Sequence, residues 1–178
     1  MGKSALIVID MINTYDHPDA EHLVPSVRTA LPSLTALLDR ARSEDVPVIY
    51  ANDNFGEWRS HHGELVETSL AGKNAELVRP VMPVDEDLFV VKARHSIFYE
   101  TPLEYLLRQL GADHVVLVGQ VTEQCVLYSA LDAHIRQLRV TVPEDAVAHI
   151  HPDLAEAALR MMERNMSASI VKAETVTF

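Results

Sequence analysis

The chain of 178 residues has a single cysteine, Cys125, so no internal disulfide can staple it. It is short of positive charge. Against 26 Asp and Glu stand only 15 Lys and Arg, a formal net charge of -11, whereas a nucleic-acid or anionic-membrane partner calls for a basic surface. No apolar run reaches membrane-spanning length, and the first, Ala5 to Ile9, is too short for a signal peptide and is stopped by Asp10. A cytoplasmic location is therefore expected. Gly2 after Met1 would suit myristoylation, but position 6 is Leu6 and not Ser or Thr. Also missing are a glycine fingerprint for dinucleotides after the first apolar run, a P-loop, a G-x-S-x-G elbow and paired cysteines for a metal. What is there is a chain 48% hydrophobic with no composition shift or linker, which predicts one domain over residues 1–178 with a sizeable core.

Apolar runs and helical periodicities alternate along the chain. Residues 5–10 predict a strand buried on both faces, as parallel strands are, ending at Asp10. Val27, Ala30, Leu31, Leu34, Leu37, Leu38 and Ala41 mark one face of a helix, with Pro25 in its first turn and Pro32 placed to kink or restart it. Strands follow at 46–51 and 88–91, the second with Lys92 at its end. Between them residues 52–87, with Trp58, Arg59, His61 and His62, make a long connection of the kind that carries function and is expected to wall a pocket. Thr101-Pro102-Leu103-Glu104 reads as a capping box that starts a helix ending near Gly111. Further strands are expected at 115–118, 138–142 and 168–173, with a helix through Leu154, Ala157, Ala158, Met161 and Met162 before the last. Six strands alternating with helices imply an α/β fold with a doubly wound parallel sheet and helices on both faces.

The stretch Val115 to Leu127 holds the cysteine. Four valines and leucines end at Gly119, and Thr122 is positioned as the N-cap of a helix whose first turn contains Cys125. A lone cysteine in an intracellular chain is ordinarily a small buried hydrophobe. Here the unpaired amides and positive end of a helix favour its thiolate, so the placement predicts a reactive thiol.

Gly119-x-x-Thr122-x-x-Cys125-Val126 resembles the nucleophile motif of the isochorismatase-like cysteine hydrolases, a superfamily that includes nicotinamidases and N-carbamoylsarcosine amidases. The resemblance extends, in the same order, to Asp10 at the end of ALIVID and to Lys92 at the end of LFVVK, followed by His95-Ser96-Ile97-Phe98 and Thr101. It spans nearly the whole chain. The loop after Asp10, Met11-Ile12-Asn13-Thr14-Tyr15-Asp16-His17-Pro18, resembles the frequent DMQNDF pattern of that superfamily with departures, Ile12 in place of Gln and Thr14 in place of Asp. The resemblance implies the strand order 3-2-1-4-5-6, which would bring Asp10 and the Cys125 loop together on adjacent strands with Lys92 reaching across from the third.

By the same resemblance Cys125 would be the nucleophile, Asp10 the general base and acid, and Lys92 the electrostatic stabiliser. The backbone amides of Val121 and Cys125 would bind an oxyanion, behind a non-proline cis peptide between Gln120 and Val121. The implied reaction is cofactor-free hydrolysis of a small amide, carbamoyl or ureido substrate through a thioester. Two alternatives stand beside it: vinyl-ether hydrolysis of the isochorismatase type, against which Cys125 counts, and a non-catalytic binder or redox-responsive subunit. Tyr15, Phe55, Trp58, Phe98 and Tyr128 are candidate pocket walls. Metal-dependent nicotinamidases of the superfamily hold their ion with an Asp-x-His pair after the second strand. The matching triplet here is Asp53-Asn54-Phe55, so no metal is expected, and neighbouring His61 and His62 diverge too far to share one. Homo-oligomers are common in the superfamily, and one is expected here.

Overall fold

The computed structural model describes residues 2–58 and 61–178, so Met1, Arg59 and Ser60 lie outside the described residues. Strands β1 (Lys3–Ile9), β2 (Val48–Asp53), β3 (Leu88–Lys92), β4 (Ala112–Gln120), β5 (Arg139–Pro143), β6 (Val147–Ala148) and β7 (Ser169–Val171) make one sheet, parallel at every pairing, in the order β3-β2-β1-β4-β5-β7. The expected order holds, with one correction to the strand number. β4 outruns β5, which pairs only with its first half, and the two residues of β6 take over beside Gly119 and Gln120. The expected sixth strand is thus the seventh.

Among the described residues six α-helices connect the strands: α1 (Ala20–Ser43), α2 (His62–Leu70), α3 (Ala75–Val78), α4 (Leu103–Leu110), α5 (Leu127–Ile135) and α6 (Pro152–Met166). Alternation along β1 sorts its side chains between two cores. Leu6 and Val8 pack with Leu34, Leu37 and Leu38 of α1, while Ala5, Ile7 and Ile9 pack with Leu103 and Leu107 of α4, Ala130 of α5 and Met162 of α6. Burying each such Leu or Ile side chain contributes about 1.5–3 kcal/mol, which explains why the central strand reads as an unbroken apolar run.

Two local expectations are corrected. Helix α1 runs through Pro25 and Pro32 without restarting, and Pro25 lies beyond the first turn. Both prolines are on the solvent side, where water can serve the carbonyls they leave unpaired, while Val27, Leu34 and Leu38 hold the other face in the core. The Thr101 box is also incomplete. Thr101 Oγ1 accepts from the Leu103 amide at 3.4 Å, but the Glu104 carboxylate turns outward to Arg136, 2.8 Å away, and the helix itself begins at Leu103. It ends as expected at Gly111, in the left-handed conformation.

Candidate active site

The order of strands reverses between β1 and β4, and the carboxyl ends of β1 to β4 carry Asp10, Asp53, Lys92 and Gln120 to one edge. Gly119 permits the approach of β4 to β1 there. Its φ is +108°, and a Cβ at this position would lie 2.2 Å from the carbonyl oxygen of Ile9, so any side chain is excluded. One residue further on, the Gln120-Val121 peptide bond is cis. The loop after β1 is fixed by Asn52 of β2, whose side chain exchanges two 2.9 Å hydrogen bonds with the backbone of Ile12. The resemblance pattern's Gln is absent at position 12, and the isoleucine there is core.

Asp10 is in the left-handed region, φ +53°, and its two carboxylate oxygens are both engaged: Oδ1 accepts from the Asp53 amide at 2.9 Å and Oδ2 meets Lys92 Nζ at 2.7 Å. Lys92 is almost wholly buried, 2% exposed, and crosses the end of β2 to arrive there. Its Nζ also lies 3.6 Å from Cys125 Sγ and 3.4 Å from the carbonyl oxygen of Arg94. The three residues drawn from β1, β3 and the turn after β4 therefore meet around one sulfur.

The turn that holds the sulfur differs from the expected N-cap. Thr122–Val126 form one wide π-type turn leading directly into α5, and Thr122 donates its hydroxyl to the carbonyl of Ala148 at 2.9 Å instead of accepting an amide. The expectation of a stabilised thiolate is corrected with it. Burial, and then the neighbouring Asp10 carboxylate, push the Cys125 thiol up to about 12, against the opposing pull of Lys92 and of the Val121 amide. Burial likewise raises Asp10 above the usual carboxylate range despite the Lys92 charge. Lys92 itself is raised: burial works against its charge, but Asp10 and Cys125 outweigh it. Burial and Asp10 therefore favour the protonated form of the sulfur, and Lys92 opposes them.

A cavity of about 270 Å³ opens onto these groups, walled by Phe55, Arg94, His95, Gln124 and Ile150 as well as by the three charged and thiol side chains. Of the aromatic residues expected as walls, Phe55 lines it, half-exposed in a left-handed turn. The other four stand elsewhere. Tyr15 is in the core beneath, its hydroxyl donating to Gln120 Oε1 at 3.5 Å. Phe98 is buried under the Arg136 guanidinium, 4.8 Å from the ring centre. Tyr128 sits outside the cavity, edge-on to His95 with centroids 5.6 Å apart, and Trp58 is 69% exposed. Asn13, His17, Asp19, Arg94, His95, Gln124 and Ile150 also line the cavity, none of them expected there. Proximity to Lys92 and Cys125 could have flagged Arg94, His95 and Gln124, whereas Ile150 depends on the unforeseen β6.

Residues 4–175 match the Isochorismatase domain family. The chain is 33% identical over 175 residues to the uncharacterized isochorismatase family protein YaaI of Bacillus subtilis (strain 168), covering 98% of this chain and 97% of that one. It is 30% identical over 165 residues to maleamate amidohydrolase of Pseudomonas putida, covering 88% and 78%. The crystal structure of N-carbamoylsarcosine amidase from Thermoplasma acidophilum has the same fold, with a TM-score of 0.76 and 28% identity over 99% of each chain. With so full a match in sequence and strand order, the chain belongs to the isochorismatase family of hydrolases.

Proposed function

We propose that the protein is a cysteine amidase acting on a small amide, carbamoyl or ureido compound through a thioester. The observation that carries this reading is the contact of Asp10, Lys92 and Cys125 at the base of the cavity: 2.7 Å from Lys92 to Asp10 and 3.6 Å from Lys92 to the sulfur. The names of two relatives, a maleamate amidohydrolase and an N-carbamoylsarcosine amidase, support the C–N bond as the target. The cavity size supports a small substrate.

In this reading Asp10 takes the thiol proton as Cys125 attacks the carbonyl, and the raised affinity of Asp10 for a proton suits it to the task. A thiol pushed up to about 12 is not ionised beforehand, so deprotonation accompanies attack and Lys92 offsets the charge that develops on sulfur. The tetrahedral oxyanion is assigned to the amides of Val121 and Cys125, where the loss of one donor typically costs ~10²-fold or more. Collapse expels ammonia or an amine, which receives the proton from Asp10, and water then cleaves the thioester.

The reading includes no metal or other cofactor, and the residues at the Asp-x-His position do not fit an ion. Asp53 Oδ1 accepts from the Phe55 amide at 2.9 Å and so closes a turn, and Phe55 offers a ring in place of a ligand. His61 caps α2 by accepting from the Gly63 amide, while His62 stacks on Phe89 with centroids 5.3 Å apart. Among the described residues no three His, Cys, Asp or Glu side chains are grouped so as to hold an ion. A homo-oligomer belongs to the reading on family resemblance, and sedimentation measures it.

The test is ammonia release from a panel of small amides, carbamoyl and ureido compounds. Cys125→Ala is expected to abolish turnover with folding intact, and Asp10→Asn and Lys92→Met to lower kcat by ~10²–10⁴. Wild-type activity in Cys125→Ala would refute the mechanism.

A further inference from the structure

The sulfur of Cys125 has a third polar side chain beside it that the triad does not use: Nδ1 of His95 lies 3.9 Å away. The two triad partners are nearly buried, at 9% exposure for Asp10 and 2% for Lys92. His95 is exposed and lines the cavity, so it stands where water enters. Its ring is braced edge-on by Tyr128 at 5.6 Å and 62°. The segment that carries it is pinned to α5, where the Ile97 amide donates to Ser129 Oγ at 3.1 Å and Ser96 Oγ donates to Asp132 at 2.5 Å. The imidazole is therefore held against the nucleophile by more than its own contact with it.

Resting on the cysteine-amidase reading, we infer that His95 is the general base of the second half-reaction, activating the water that hydrolyses the acyl-enzyme. An acyl carbon bonded to Sγ would sit beside the imidazole, and one water fits between a ring nitrogen at this distance and that carbon. Asp10 is less well placed, because Oδ1 is held by the Asp53 amide and Oδ2 by Lys92.

The step balances. One O–H bond of water breaks and its proton goes to His95, while the oxygen bonds to the acyl carbon. The tetrahedral intermediate collapses by breaking the C–S bond, whose electron pair returns to sulfur. The imidazolium then gives its proton to that sulfur, so thioester and water become carboxylic or carbamic acid and free thiol. Asp10 thus carries the proton of acylation, from thiol to leaving amine, and His95 carries that of deacylation, from water to thiol.

The probe is p-nitrophenyl acetate, whose leaving group departs without needing a proton and reports acylation directly. In the wild-type protein nitrophenolate release reports turnover, and Cys125→Ser is expected to lose it. In His95→Gln a burst approaching one equivalent per active site is expected, followed by a steady rate ~10²-fold below wild type, with acetyl-Cys125 accumulating in peptide mass mapping. The second-order rate of acylation stays near wild type, and added imidazole restores part of the steady rate. A merely structural role would depress burst and steady rate together and would not respond to imidazole. Unchanged deacylation in His95→Gln, or loss of both phases without an acyl adduct, overturns the assignment of His95 alone. Release that persists in Cys125→Ser, or no release by the wild-type protein, overturns the cysteine-nucleophile reading and this inference with it.

Discussion

Gln120 donates from Nε2 to the main-chain carbonyl of Asp10 at 2.7 Å, joining residues 110 positions apart. This bond ties the end of β4 to the end of β1, so the turn that presents Cys125 and the carboxylate beside it share one fixed link. Gln120 is 1% exposed, and its Oε1 receives the Tyr15 hydroxyl from below. Gln120→Leu would leave the Asp10 carbonyl without this donor, at a cost of ~1–3 kcal/mol. The expected result is a lower urea midpoint together with a fall in kcat on any substrate the amide panel finds. A variant unchanged in both would show that the link is dispensable.

The charges around Cys125 act in opposite directions, which gives a prediction independent of substrate. Asp10 holds the thiol up and Lys92 draws it down. The pH midpoint for alkylation of Cys125 by iodoacetamide is therefore expected to move down in Asp10→Asn and up in Lys92→Met, although both variants are expected to lose turnover. Shifts in the same direction would contradict the electrostatic account.

Elemental analysis of protein purified without an affinity tag is expected to find no stoichiometric zinc, iron or manganese. By the family resemblance Phe55 stands where metal-dependent relatives would have a ligand, and the Asp53 carboxylate accepts from the Phe55 amide. Activity on the amide panel is expected to survive a chelator. Near-stoichiometric metal, with activity lost to the chelator and restored by the ion, would reverse the assignment.

Stability is expected to fall in mild acid because of His114. It is buried in the sheet, with Nδ1 2.8 Å from Ser4 Oγ on β1 and Nε2 2.8 Å from Thr141 Oγ1 on β5. Burial first, and Arg139 second, lower its proton affinity against the opposing effect of Asp113. The unfolded chain then binds this proton more readily than the folded one. The contribution is complete above the unfolded value of about 6.5 and is lost as pH falls below it. Urea unfolding at pH 8 and pH 5 should show a larger loss for the wild-type protein than for His114→Gln. Equal losses would place the acid sensitivity elsewhere.

The strand ends, and with them the meeting place, are legible along the chain. A parallel strand buried on both faces has to be apolar throughout, so Asp10, Lys92 and Gly119 stand out as the points where ALIVI, LFVV and VVLV stop. The face of α1 was equally legible, because its buried residues recur at helical spacing. The environment of Cys125 is set by contacts through space. Helix position is local and argued for a thiolate, but burial and an Asp10 brought in from another strand outweighed it, and the thiol rose to about 12. The same holds for the aromatic residues. Tyr15 and Phe98 lie beside the motifs in sequence yet point into the core, while Ile150 reaches the cavity from a connection with no motif at all. Periodicity and chain punctuation depend on neighbours along the chain, whereas desolvation, charge and the walls of a cavity depend on neighbours through space, and those are fixed only once the strands have found their order.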